Sequence, residues 1–134
     1  MKKQQIMTKR KLKKIDFARS LRRGCVHIHA TSNNTIVTLT DITGLTLAWS
    51  SAGLCGFKGT RKSTPFAARC AGEQIATQCR KQNISQIDIL VRGTGKGREA
   101  ALRGLLNRNT RIRLIRDLSC LPHNGCRPPQ PRCP

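Results

Sequence analysis

Aromatic side chains are almost missing: the 134 residues include no Tyr, one Trp and three Phe. Recognition by stacking successive bases on an aromatic platform is therefore excluded as the main device. Acidic residues are equally scarce, six in all, which leaves little material for carboxylate chemistry. No apolar run approaches the roughly 20 residues of a membrane-spanning helix. The basic N-terminal stretch also has few large apolar residues for an interfacial face, so no membrane partner is expected. That stretch, MKKQQIMTKRKLKK, has no apolar region after its charges and is not a secretory signal. Its Lys and Arg would suit an organellar transit peptide, but Ser is nearly absent before Ser20, and it is read as part of the working protein.

What is abundant is positive charge: 26 Lys and Arg give a net +20 at pH 7. Self-repulsion on that scale weakens a compact fold and calls for a polyanionic partner. Nucleic acid fits, because neutralised phosphates release their condensed counterions. With base stacking excluded, phosphates and folded RNA shape are the expected targets. The length allows one domain with a modest core. Seven cysteines, at positions 25, 55, 70, 79, 120, 126 and 133, form an odd, unpatterned set. Without a secretory signal, that argues against a disulfide framework and for a reducing interior.

Residues 1–23 hold ten Lys and Arg and one Asp, a like-charged arm that orders on RNA or merely solubilises. Val26, Ile28 and Ala30 alternate with His27 and His29, the period of a half-buried strand. Asn33 and Asn34 form a turn in which Asn tolerates left-handed backbone. Thr35 to Thr40 is a β-branched second strand, and Asp41 to Gly44 turns the chain into a third, Leu45 to Ser50. Residues 51–62 have no apolar period and read as a loop. Thr64 and Pro65 open a helix as N-cap and first helical position. Its buried stripe is Ala67, Ala71, Ile75 and Cys79 with Cys70 beside it, and the alanines let it lie close to a sheet. Ile84 to Val91 is nearly continuously apolar, as for a strand covered on both faces. A glycine turn and a helix from about Glu99 to Leu106 follow. Arg111 to Leu118 is a fifth strand, with Ile112 and Leu114 alternating with arginines. Residues 120–134 hold five prolines and read as an irregular tail. The order βββαβαβ, with right-handed crossovers, gives an α/β core over 24–119: a five-stranded mixed sheet with helices on its faces. That outline is shared with ribonuclease-H-like folds.

Two glycine-bearing basic segments precede helix starts. In 56–65, Lys58, Arg61, Lys62 and Ser63 sit where free N–H groups and the helix dipole favour an anion, and glycine lets the backbone itself approach. In 92–104, Lys96 and Arg98 hold the same position. Either one alone reads equally well as an ordinary turn with solvated charges; two in so basic a chain favour phosphate. A P-loop is excluded, since the first-glycine and Ser/Thr positions around Gly95-Lys96 are Leu90 and Gly97.

A nuclease needs carboxylates converging on a divalent metal. The first strand supplies none, Asp41 falls in a turn and Asp16 in the arm, so no catalysis is expected. Cys120, His123, Cys126 and Cys133 are zinc-type ligands close in sequence, but their spacing matches no standard finger and five prolines restrict closure, so no metal or cofactor is assigned. Cys25, His27 and His29 alternate along a strand, and there the histidines face solvent or RNA; Cys70 and Cys79 are most simply small core residues.

The segments HIHATSNNTIVTLTD (27–41), WSSAGLCGFKGTRKSTPFAA (49–68), VRGTGKGREAALRGL (91–105) and IRDLSCLPHNGCRPP (115–129) resemble, in order and spacing, the universal small-subunit ribosomal protein number eleven, in its bacterial or organellar type. The resemblance covers roughly 24–129, and PHNGCRPP is its most specific piece. It implies a ribonuclease-H-like fold without nuclease activity, bound to platform ribosomal RNA near the exit-site messenger path. It also implies neighbouring platform proteins as partners and an RNA-facing role for Asn33, Asn34, the 58–63 loop, Lys96, Arg98, and His123, Asn124 and Arg127 of the tail. The chain departs from the family pattern after the two prolines, where Gln130 to Pro134 replace a run of Lys and Arg, and in its cysteine count. Both departures point to an organellar ribosome, mitochondrial or plastid, with a bacterial cytoplasm as the other setting. A free RNA chaperone or tRNA-binding module is the competing binding function.

Overall fold

The computed structural model describes residues 23–106 and 110–130. The basic arm (all but Arg23) and the last four residues, Cys133 among them, lie outside the described residues. Five strands and two α-helices follow in the expected order: β1 Arg23–Ala30, β2 Thr35–Thr40, β3 Thr46–Ser51, α1 Pro65–Lys81, β4 Gln86–Arg92, α2 Arg98–Leu106 and β5 Arg111–Asp117. The loop after β3 contains a 3-10 turn, Gly59–Ser63, which the missing apolar period concealed.

The strands form one mixed sheet in the order β3-β2-β1-β4-β5. β1 and β2 are antiparallel, as are β2 and β3, whereas β4 runs parallel to both β1 and β5. The crossovers β3-α1-β4 and β4-α2-β5 therefore both travel the same way across the sheet. Right-handed connections travelling the same way lay their helices on one face. A single core cluster accordingly joins Val26, Ile28, Val37, Leu39, Ile87 and Ile89 of the sheet to Ile75 of α1 and Leu105 of α2. Each such side chain contributes about 1.5–3 kcal/mol on burial.

Two expectations are thereby corrected. The helices do not divide between the faces, and β4 is not covered on both. Ile87, Ile89 and Val91 are buried, while Asp88 and Leu90 are only half-buried on the open side. β5 also departs from simple alternation. The register steps from Ile87↔Ile112 to Asp88↔Leu114, so Arg113 is the extra residue of a bulge. Leu114 is consequently carried to the open face, 37% exposed.

Thr64 caps α1 as expected, its hydroxyl accepting from the Ala67 amide at 3.4 Å. The buried stripe includes Ala67, Ala71, Ile75 and Cys79, and burial pushes the Cys79 thiol up to about 11. Cys70 is only half-buried. The closest approach lies between the helices rather than between helix and sheet. A Cβ on Gly72 would stand 2.4 Å from the Ala101 carbonyl oxygen, and one on Gly104 2.4 Å from that of Arg69. Among the described residues no helix is long and apolar enough to cross a membrane.

Candidate nucleic-acid interface

Strand direction decides where the basic loops lie. Because β1, β3, β4 and β5 all point the same way, the segments leaving them emerge at one end of the sheet. Those segments are 31–34, 52–64, 93–97 and 118–130, which include all of the candidate binding residues but Arg98, the first residue of α2. The topology thus gathers four separate stretches of sequence at the carboxyl ends of the parallel strands.

Three of them touch. The Gly95 amide donates to the Ala30 carbonyl at 3.1 Å. Added Cβ atoms on Gly93 and Gly95 would lie 2.2 Å from the Ala30 and Thr31 carbonyl oxygens, and Gly93 has φ +98. A Cβ on Gly97 would lie 2.2 Å from the Thr35 hydroxyl and 2.7 Å from the Ala68 Cβ. The 93–97 turn is therefore wedged between the β1–β2 turn and the first turn of α1. Only glycine permits that fit.

Asn33 is exposed at the β1–β2 turn, and the Asn34 Oδ1 accepts from the Thr35 amide at 3.0 Å. The Thr31 hydroxyl donates to the Asn34 carbonyl at 2.9 Å and accepts from its amide at 3.1 Å. These bonds close the turn without the expected left-handed residue. The described non-glycine residues with positive φ are Asn83 and Asn124.

Lys58 precedes the 3-10 turn in extended conformation. Lys58 and Arg61 are exposed, Lys62 and Ser63 half-buried. The Ser63 hydroxyl donates to the Thr60 carbonyl at 2.8 Å, and the Arg61 carbonyl accepts from the Thr64 amide and hydroxyl. Phe57 meets Phe66 edge to face at 5.9 Å, bracing the loop against α1. Among the described residues none of the three cations is in an ion pair.

Lys96 is exposed and likewise unpaired among the described residues. Arg98 is placed differently. Its guanidinium donates to Asp117, to the Gly93 carbonyl at 3.2 Å and to the Ser119 hydroxyl at 3.5 Å. The Gly93 amide also donates to Ser119 Oγ at 3.1 Å. Arg98 thus staples the glycine turn to the start of the tail and pulls the Asp117 carboxyl down to about 2. His123, Asn124 and Arg127 are exposed along that tail.

The carboxylates are dispersed. Asp88 pairs with Arg113 and is held below the usual carboxylate range by it. Asp41 is buried, accepting from the Thr43 hydroxyl at 2.7 Å and the Leu45 amide at 2.9 Å, and its carboxyl is lowered by the Thr43 bond first. Among the described residues no group of three His, Cys, Asp or Glu side chains could hold a metal ion. Sequence reasoning passed over Arg92, which ends β4 at the same sheet end, exposed; its position just before Gly93 was the available signal.

A small α/β core presenting unpaired cations and glycine-made backbone approaches at one end of its sheet belongs to the class of polyanion-binding scaffolds. The chain is a member of the ribosomal protein S11 family, whose profile matches residues 24–133. Among its relatives is the small ribosomal subunit protein uS11c of Tupiella akineta, 54% identical over 112 residues, or 84% of this chain and 86% of that one. The uS11c proteins of Nephroselmis olivacea, 54% identical over 114 residues (85% and 88%), and Chlorella vulgaris, 53% over 116 residues (87% and 89%), are similar. The resemblance carried by the four sequence segments holds at the level of the family.

Proposed function

We propose that this protein is a structural constituent of the small ribosomal subunit of an organelle, the plastid, and that it grips ribosomal RNA with the carboxyl end of its sheet. One observation carries the interface: four segments distant in sequence emerge at that end, with Lys58, Arg61, Lys62 and Lys96 unpaired among the described residues. The amino-terminal ends of α1 and α2 face the same end, and their dipoles favour phosphate oxygens there. Asn33, Asn34, Ser63, His123, Asn124 and Arg127 add hydrogen-bonding groups around these cations. Arg98 acts mainly by holding the turn that presents Lys96. The family resemblance extends the reading to the platform, near the exit-site messenger path and beside other platform proteins. The protein works as a scaffold rather than a nuclease, because its described carboxylates serve folding contacts one by one.

Co-sedimentation of the full chain with small subunits through high salt tests this. Retention is expected; release into the free fraction would favour a detachable RNA chaperone. Replacing Lys58, Arg61 and Lys62 together by Ala should flatten the slope of log affinity against log salt by about 2–3. An unchanged slope removes that loop from the interface.

A further inference from the structure

The sheet face turned away from the helices contains a groove, walled on one side by the start of the tail. It is open, about 590 Å³, and runs between β1, β4 and the chain leaving β5. Leu90 and Leu118 line its apolar part; His27, His29 and Arg92 line it with nitrogen-bearing groups. β1 and β4 are the parallel central pair, with His29 in register with Arg92 at their carboxyl ends. From that point the chain departs on one side toward β2 and on the other toward α2 and β5. Leu118 is held there by its amide, which donates to the Val91 carbonyl at 2.8 Å.

We propose that this groove holds one unstacked nucleotide of single-stranded RNA, its base against Leu90 and Leu118 beside the two imidazoles, its phosphate on Arg92. Charge selects this occupant. His29 and Arg92 are exposed and have no partner among the described residues; His27 has one weak contact, 3.4 Å from its Nε2 to the Thr40 hydroxyl. The carboxylate on this face, Asp88, is already paired with Arg113, so the groove offers cations and apolar surface but no free acid among the described residues. A flat base takes the apolar surface and stacks on imidazole or guanidinium planes, while its phosphate takes the cation. The groove also opens at the same sheet end as the basic loops, so a strand gripped by those loops reaches it without crossing the fold. The inference rests on RNA being the partner, and adds a single-stranded contact on a second face.

The test is ultraviolet cross-linking of small subunits carrying the full chain, followed by tryptic mapping. A nucleotide adduct is expected on both tryptic peptide 24–58, localised by fragmentation to 27–29, and tryptic peptide 117–132, localised to 118–120. In the His27→Ala, His29→Ala, Arg92→Ala variant, still retained in the particle, the adducts should fall about tenfold, the scale of one lost stacked base. Wild-type particles that retain the protein but give no adduct at 27–29 or 118–120 overturn the proposal, as does a protein cross-link in the groove or an adduct at those positions unchanged in the variant. If the wild-type chain does not enter small subunits, the ribosomal reading fails separately. Binding of the full chain to a ten-nucleotide single-stranded RNA then decides the groove, with about tenfold weaker binding by the variant supporting it and equal binding refuting it.

Discussion

Gly95→Ala should damage the interface from within the fold. Its added methyl would stand 2.2 Å from the Thr31 carbonyl oxygen and 2.7 Å from its carbon. Those are backbone atoms, so neither partner can rotate away. The turn must retreat, and the bond from the Gly95 amide to the Ala30 carbonyl, 3.1 Å long, is strained or lost. Overpacking of this kind costs about 1–3 kcal/mol and the hydrogen bond about 1 kcal/mol. Against that, Ala narrows the unfolded ensemble by about 0.5–1 kcal/mol. The balance is a loss of roughly 2 kcal/mol, which for a chain of this size lowers Tm by about 6–12 °C. Thermal unfolding of the full chain followed by circular dichroism measures it. Gly125→Ala is the control, because nothing lies within 4 Å of a Cβ there and φ is not positive. A Gly95→Ala Tm within about 2 °C of wild type, matching that control, would refute the claim that the 93–97 turn is wedged against the β1–β2 turn.

The Arg98–Asp117 pair predicts a pH dependence. The folded Asp117 carboxyl lies at about 2, below its unfolded value near 4. A depressed carboxylate contributes stability above the unfolded value and loses it as pH falls from about 4 through about 2. Asp117→Asn should therefore flatten the stability profile over that window, and a carboxyl carbon resonance of Asp117 titrating near 4 would contradict the staple. Asn124 is exposed, has φ 54 and precedes Gly125, so glycine offers no side-chain hindrance to succinimide closure. Peptide mapping of aged protein should find isoaspartate at 124 and none at Asn83, which shares the backbone conformation but precedes buried Ile84; intact Asn124 would refute this.

Local pattern located the strands because burial on one face writes itself as period two: Val26, Ile28 and Ala30 in β1, Thr35, Val37 and Leu39 in β2. The cap at Thr64 was legible for a similar reason, since capping is a short-range contact. What pattern could not supply was the side of the sheet each helix takes. Ile89, Leu90 and Val91 read as fully covered, yet Leu90 lines an open groove, because coverage follows from the direction of the two crossovers. The helix contact was hidden for another reason. Gly72 and Gly104 look like weak points in their helices, and only their approach to the Ala101 and Arg69 carbonyls explains them. The basic loops were legible as composition: Lys58, Arg61, Lys62 and Lys96 stand out beside glycines. Their convergence was not, because it depends on four strands sharing one direction.

The distribution of acids separates the cancelled cations from the free ones. Among the described residues, Glu73 pairs with Arg69, Glu99 with Arg103, Asp88 with Arg113 and Asp117 with Arg98. The remaining one, Asp41, is met by neutral donors. Exposed ion pairs contribute at most about 1 kcal/mol each, so these four matter less for stability than for the charges they cancel. Three of the four arginines lie on α1, α2 or the β5 bulge, and the fourth is the staple at the start of α2. None lies in the 58–63 loop, beside Lys96 or at Arg92. Cancellation thus falls on the helices, the far edge strand and the Arg98 staple, and leaves the lysines and arginine of the carboxyl-end loops uncompensated. A net charge of +20 drives association with any polyanion. The placement of its few acids leaves the cations of the glycine loops free to meet it.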